Sequence, residues 1–184
     1  MNDAPPLAGL RLRSFEPGDA AIVAAWVYSQ EELHWLAPST SWPLTAAKVL
    51  TWPKPRGRAL LLVHEGDPDP LGYCELNPMG GNDAQIWLGH VIIRPDARRR
   101  GIGKDFVRLQ VEYAFHDLGA RTVSLIVFPD NAPAVACYRR TGFIPVGEEY
   151  HSFMQGSPRE RMLRFEMHAT DLGISRRSWL KKRL

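Results

Sequence analysis

The segment from Ile86 to Leu118 constrains this chain most, because it requires a strand and a packed helix joined by one glycine-bearing turn. The run Ile86-Trp87-Leu88-Gly89-His90-Val91-Ile92-Ile93 is apolar enough for a buried strand, and Pro95 ends it because proline cannot donate to a ladder. A helix then opens. Ile102, Phe106, Leu109 and Tyr113 make one apolar line on it, and Val107, Val111, Ala114 and Leu118 make a second. Lys104, Arg108, Glu112 and His116 form the polar stripe, and Gly119 supplies the stop. A helix packed on two lines holds its N-terminus rigidly.

The turn itself is Arg98-Arg99-Arg100-Gly101-Ile102-Gly103-Lys104. Two glycines let the backbone turn sharply and bring its N–H groups close to a ligand with no Cβ in the way. The positive end of the helix dipole and four basic side chains act at the same place, so a phosphate-bearing ligand suits it. The plainer reading is a basic surface turn. Two familiar phosphate motifs are excluded: Phe106 stands where a dinucleotide fingerprint needs its third glycine, and no Gly-Lys-Ser/Thr is present.

The rest of the chain reads as alternating elements. Leu10, Leu12 and Ser14 give a first strand, and Asp19 follows Pro17-Gly18 to cap a helix whose apolar face is Ile22, Val23, Trp26 and Val27. Ser29 to Gly57 is irregular, with Pro38, Pro43, Pro53 and Pro55 and a short helix over Thr45 to Thr51. Ala59 to Val63 and Leu71 to Leu76 form a hairpin around Glu65 to Pro70, Asn77 to Asp83 is a loop, and the fourth strand runs Gln85 to Arg94. A fifth strand, Thr122 to Phe128, leads through Pro129-Asp130-Asn131 into a helix over Pro133 to Arg140 stopped by Gly142. Strands over Phe143 to Tyr150 and Glu160 to His168 complete a body with no repeat and no long linker. The order predicts an α/β fold, one mixed sheet with helices on both faces, in a domain spanning 1–170 followed by a basic tail, 171–184.

Charge narrows the partners. The formal net charge is +3, but the tail carries five basic residues against Asp171, so the body is close to neutral and a nucleic-acid partner is not expected. No window is apolar over the eighteen or so residues of a membrane span, and the start, MNDAPPLAGL, lacks the basic head and apolar run of a secretory signal. Cys74 and Cys137 sit in apolar segments and read as buried thiols of a reducing compartment, so the expected location is the cytoplasm, with no membrane partner. His34, His64, His116, His151 and His168 lack metal-ligand spacing, and no metal is expected.

Strand, Arg98-x-x-Gly101-x-Gly103, helix, strand, then an Asn-led helix carrying a tyrosine resembles the GNAT superfamily of acyl-CoA-dependent N-acyltransferases. Its signature, Gln/Arg-x-x-Gly-x-Gly/Ala, is met at Arg98, Gly101 and Gly103. Its second motif is met at Asn131, Ala134 and Tyr138 within NAPAVACY, followed by Arg139-Arg140-Thr141-Gly142-Phe143. Two motifs in register cover the chain from Leu10 to His168, and its look leans toward the ribosomal-protein acetylating branch. The resemblance implies a largely antiparallel mixed sheet splayed between the fourth and fifth strands, with acetyl-CoA in the splay. Pantetheine would pair with the backbone of Val91, Ile92 and Ile93, and pyrophosphate would sit on the amides of Arg98, Arg99, Arg100, Gly101, Ile102, Gly103 and Lys104. Asn131 would meet the cofactor. Tyr138 would protonate the thiolate as an amine attacks the thioester and backbone N–H groups steady the oxyanion.

The sequence departs from the family at the general base. Gln85 and Trp87 occupy the fourth-strand positions where an acid is expected, and the period-two rule puts His90 on the face opposite them. Glu75 on the preceding strand is the better catalytic candidate, against a solvated strand residue or loss of the amine's proton to water. By the same resemblance the amine acceptor, a small molecule or a protein N-terminus, lies between the 29–57 region and the loop near His151 to Arg159. There Trp35 with Glu31 and Glu32 would hold a cationic amine, unless Trp35, Trp42 and Trp52 simply pack an irregular segment. A non-catalytic acyl-CoA-binding module and a nucleotide-phosphate binder are the rival readings, and a homodimer is left open.

Overall fold

The computed structural model describes residues 9–80 and 82–172; the N-terminal eight residues and most of the basic tail, 173–184, lie outside the described residues. Among the described residues seven strands form one sheet in the order β1-β2-β3-β4-β5-β7-β6. They are β1 (Leu10–Ser14), β2 (Arg58–His64), β3 (Asp67–Met79), β4 (Asn82–Ile93), β5 (Thr122–Val127), β6 (Ile144–His151) and β7 (Glu160–His168). Every neighbouring pair is antiparallel except β4 and β5. A parallel pair needs a crossover, and helix α4 (Ile102–His116) provides it. The other helices are α1 (Ala20–Ala24), α2 (Gln30–Leu36), α3 (Ala46–Val49) and α5 (Ala132–Thr141).

Both sheet faces are covered, as the sequence predicts. Leu60, Leu62, Cys74, Leu76, Ile86 and Leu88 turn to the side of α4 and α5, where they bury Phe106, Val107, Val111 and Tyr138. Leu61, Tyr73 and Ile92 turn the other way, onto Val23, Trp26, Leu33, Val49 and Trp52 from α1 to α3. The close approach of α4 depends on Gly72, where a Cβ would stand 2.9 Å from the Phe106 ring.

Three local departures have physical reasons. The 77–83 loop is shorter than expected: β3 runs on to Met79 and β4 begins at Asn82. Pro78 is tolerated there because β2 pairs no further along β3 than Leu76, opposite Arg58. The hairpin between β2 and β3 turns on Glu65 and Gly66 alone, Gly66 taking φ +83°. Within the stretch read as irregular, Ser29 caps α2 by accepting from the Glu32 N–H at 3.1 Å.

Two features of β4 position the site. Its pairing with β5 covers only Gln85, Ile86 and Trp87, opposite Thr122, Val123 and Ser124. Beyond Trp87 the two strands separate, and among the described residues the β5-side edge of β4 has no ladder partner there. On the other edge, Glu75 pairs with Gly89 and Tyr73 with Ile92, so Cys74 alone faces both His90 and Val91. That is a β-bulge, and His90 takes φ +47° within it. The bulge inverts the facing of the strand: Ile86 and Leu88 face α4 before it, whereas Val91 and Ile93 do so after it.

Candidate active site

The gap between β4 and β5 opens into a cleft of about 1530 Å³, larger than a drug-sized ligand needs and roomy enough for a cofactor beside a second substrate. One end is the loop before α4. Arg99 and Gly101 have positive φ, +60° and +84°, and successive N–H groups in such a conformation form a concave anion site. Not all seven amides expected to receive a pyrophosphate are free to do so. Arg98 N–H donates to the Pro95 carbonyl at 3.3 Å and Lys104 N–H to the Gly101 carbonyl at 3.0 Å. Arg99, Arg100, Gly101, Ile102 and Gly103 remain. At Gly103 a Cβ would make only ordinary contact, 3.7 Å from Cys137 Sγ, so the first turn of α4 rests directly on α5.

Arg98 has a different task from its neighbours. Its Nε donates to the Ile93 carbonyl (2.9 Å), Nη1 to Glu32 Oε1 (2.7 Å) and Nη2 to the Trp26 carbonyl (3.0 Å). One guanidinium therefore fastens the end of β4 to the α1–α2 junction, using the planar fork that lysine lacks. The charges that face the cleft around the loop come instead from Arg99 and Lys104, with Arg140 from α5.

Tyr138 projects from α5 into the same cleft and is 9% exposed. Its ring meets Phe143 edge-on at 5.8 Å, and its hydroxyl has no hydrogen-bond partner among the described residues. Burial pushes the phenol above its ordinary pKa, so the group keeps its proton at neutral pH and has it to give. Asn131 caps α5, its side-chain oxygen accepting from the Ala134 N–H at 3.3 Å, and still borders the cleft. Val91, Ile92 and Ile93 line the stretch of β4 that β5 no longer covers.

Glu75 is not a solvated strand residue. It is 1% exposed, and its carboxylate is held by Tyr73 (2.7 Å), Asn77 (3.2 Å) and His90 Nδ1 (2.9 Å). Burial alone would raise its pKa; the hydrogen bonds from His90, Tyr73 and Asn77, with the positive charge that His90 carries when protonated, outweigh it and leave the carboxyl below its ordinary value. The strand-period expectation for His90 fails for a stated reason: the bulge swings it onto the Glu75 face, where it stacks on Trp52 at 4.5 Å. Gly89 inside an apolar strand is the sequence signal for that bulge.

On the acceptor side Trp35 lines the cleft, but Glu31 is exposed and does not. Glu32 borders the cleft with its carboxylate already given to Arg98 and to the Tyr28 N–H. Of the two carboxylates expected there, only Glu32 borders the cleft, and it is already partnered. Trp52 is buried at 4%, packing its segment as the plainer reading has it, and Trp42 is exposed. Among the described residues no cluster of His, Cys, Asp and Glu could hold a metal ion, and no helix is long and apolar enough to cross a membrane.

The chain is similar to proteins of one kind. The family model described as the acetyltransferase (GNAT) family matches residues 27–143. A mycothiol acetyltransferase from Pseudarthrobacter chlorophenolicus is 30% identical over 142 residues, 73% of this chain but 42% of that protein. One from Corynebacterium kroppenstedtii is 32% identical over 70% of this chain and 40% of its own length. The chain therefore spans less than half the length of these relatives. Among solved structures, spermidine N-acetyltransferase from Vibrio cholerae, in complex with CoA and spermine, superposes with a TM-score of 0.73 at 17% identity, covering 89% of this chain and 97% of that one. AAC(6')-Ib in complex with ribostamycin and coenzyme A gives 0.74 at 18%, covering 91% and 98%. The match at 27–143 runs from just after α1 to just before β6 and so takes in the splayed strands, the left-handed loop and Tyr138: this chain belongs to the acetyltransferase (GNAT) family.

Proposed function

We propose that the protein is an N-acetyltransferase that uses acetyl-CoA to acetylate a primary amine. The observation that carries this reading is the separation of β4 from β5 beyond Trp87, above a left-handed basic loop and beside a buried tyrosine hydroxyl. The residues fit the cofactor. The uncovered edge at Val91 to Ile93 offers N–H and C=O groups to an amide-bearing arm, and the amides of 99–103 offer donors to a pyrophosphate. Arg99, Lys104 and Arg140 add positive charge around them.

Acetyl-CoA supplies the activated acetyl group. The chain supplies the rest: β4 backbone N–H groups to stabilise developing negative charge on oxygen, and the Tyr138 hydroxyl to protonate the departing sulfur. The acceptor enters from the α2 side, past Trp35. Its carboxylates are committed elsewhere, so the wall suits an amine with an apolar or aromatic body at least as well as a polycation. That amine belongs either to a small molecule or to a protein N-terminus.

Two measurements test the reading. Acetyl-CoA is expected to raise the melting temperature while ATP and NAD do not. Release of CoA thiol is then followed with spermidine, ribostamycin, phenethylamine and a tetrapeptide bearing a free N-terminal alanine. Turnover with at least one amine, cut about 10- to 10³-fold by Tyr138→Phe with acetyl-CoA affinity kept, supports an enzyme. Binding without turnover on any amine, and no effect of Tyr138→Phe, leaves a non-catalytic acyl-CoA-binding module.

A further inference from the structure

Gln85 and Trp87 stand at the β4 positions where the resemblance leads one to look for an acid, yet the cleft contains a proton acceptor in a prepared setting. We propose that His90 is the general base of this chain and that Glu75 is its positioning residue. The inference rests on the acetyltransferase reading given above.

Four observations support it. First, His90 Nδ1 lies 2.9 Å from Glu75 Oε1. A carboxylate only accepts, so the ring carries its proton on Nδ1 and presents Nε2 as a lone pair. Nε2 has no protein partner among the described residues, and the ring lines the cleft. Second, Glu75 is itself fixed by Tyr73 and Asn77 and cannot swing out to act as the base; its useful chemistry is to orient the imidazole and to stabilise its protonated form. Third, the ring plane is set by Trp52, stacked at 4.5 Å with 19° between planes. Fourth, a non-glycine residue at φ +47° is strained, and here the strain rotates this one side chain to the side of α2 and α3. Tyr138 comes from the opposite side, with α5. Base and acid thus flank the separated strands.

The proton count closes. An acceptor ammonium gives one proton to His90 Nε2, directly or through a water. The resulting amine adds to the thioester carbonyl, forming the C–N bond, a cationic nitrogen and an oxyanion. As the tetrahedral intermediate collapses the C–S bond breaks, and the thiolate takes the proton of Tyr138. The phenolate recovers a proton from the still-cationic nitrogen, which leaves the neutral amide, and His90 releases its own proton to solvent. Of the charged residues that line the cleft, Glu75 on β3, in contact with the ring, Lys54 after α3 and Glu32 on α2, paired with Arg98, come from the elements on the His90 side.

The test has two independent readouts. Long-range proton–nitrogen NMR of the wild-type protein should find neutral His90 protonated at Nδ1; a proton on Nε2 overturns the proposal whatever the enzyme turns over. With the most active amine of the four above, the acid limb of the kcat/KM profile should disappear in His90→Gln and the rate should fall about 10²-fold or more. Acetyl-CoA affinity should stay within about threefold, since a base for the amine makes no ground-state contact with the cofactor. Glu75→Gln, which keeps the volume but loses the fixed acceptor, should lower kcat at least about tenfold and disturb the His90 tautomer. If His90→Gln keeps both the acid limb and the wild-type rate, His90 is only a packed histidine and the proposal fails. A wild-type protein that acetylates none of the four amines counts instead against the acetyltransferase reading.

Discussion

At the scale of single residues, the pattern of glycines separates backbone demands from ligand demands. Gly101 sits at φ +84°, where a Cβ meets the following carbonyl; Gly103 does not need that region and has room for a methyl group. Gly101→Ala should therefore cost about 1–2 kcal/mol of stability and weaken acetyl-CoA binding, whereas Gly103→Ala should leave the urea midpoint nearly unchanged. Equal losses in both would mean that the loop conformation is not set at Gly101. These positions were legible in the sequence because a glycine motif states its backbone requirement directly. His90 was not, because its orientation depends on how β3 pairs with β4, and only Gly89 hints at the extra residue.

At the scale of elements, the sheet and the two long helices follow from apolar periodicity, and their order was readable. What escaped was α2, seven residues long and held by a cap and tertiary contacts rather than by its own apolar stripe. Ser29 with Glu32 three residues on is the start signal, although Glu32 spends its carboxylate on the Tyr28 N–H and Arg98 instead of on Ser29. A second junction shows how such short helices are fastened. Arg13 on β1 forks onto Asp19 before α1, at 2.8 and 2.7 Å, and Asp19 also accepts from the Glu16 N–H. The Arg13 hydrogen bonds hold the Asp19 carboxyl below its ordinary pKa. Asp19→Ala should cost about 2 kcal/mol at neutral pH. A depressed carboxylate stabilises above its unfolded pKa, near 4, and loses that contribution as pH falls through the folded value. The gap between wild type and variant in urea melts should therefore shrink below about pH 4. A gap independent of pH would assign the loss to packing.

At the scale of the whole molecule, the cleft is the seam between two differently built halves. The α4–α5 side carries the loop and Tyr138, both read from motifs. The α1–α3 side carries Trp35, Trp52 and the Glu75–His90 pair, assembled from short helices and a bulge that leave little trace in local sequence. The glycine loop and the tyrosine-bearing helix were accordingly legible, and the opposite wall of the cleft was not.

Arg98 crosses that seam. With one hydrogen bond to the end of β4 and two to the α1–α2 junction, it ties the two walls of the cleft together. On the acetyltransferase reading the binding free energies of the two substrates are expected to be interdependent. Such linkage runs both ways: a ligand that orders the loop is expected to favour ligand binding at the opposite wall by the same factor as the reverse. Arg98→Lys keeps the charge and loses the fork, so it should raise the acetyl-CoA dissociation constant and the acceptor KM together, each about fivefold or more. Initial rates over a grid of both concentrations would show it, and a change confined to the cofactor would reduce Arg98 to local loop support. On the acetyltransferase reading, with the fork in place, filling either side of the cleft is expected to tighten the other by the same factor, so the steady-state signature is positive synergy between the two substrates whichever enters first.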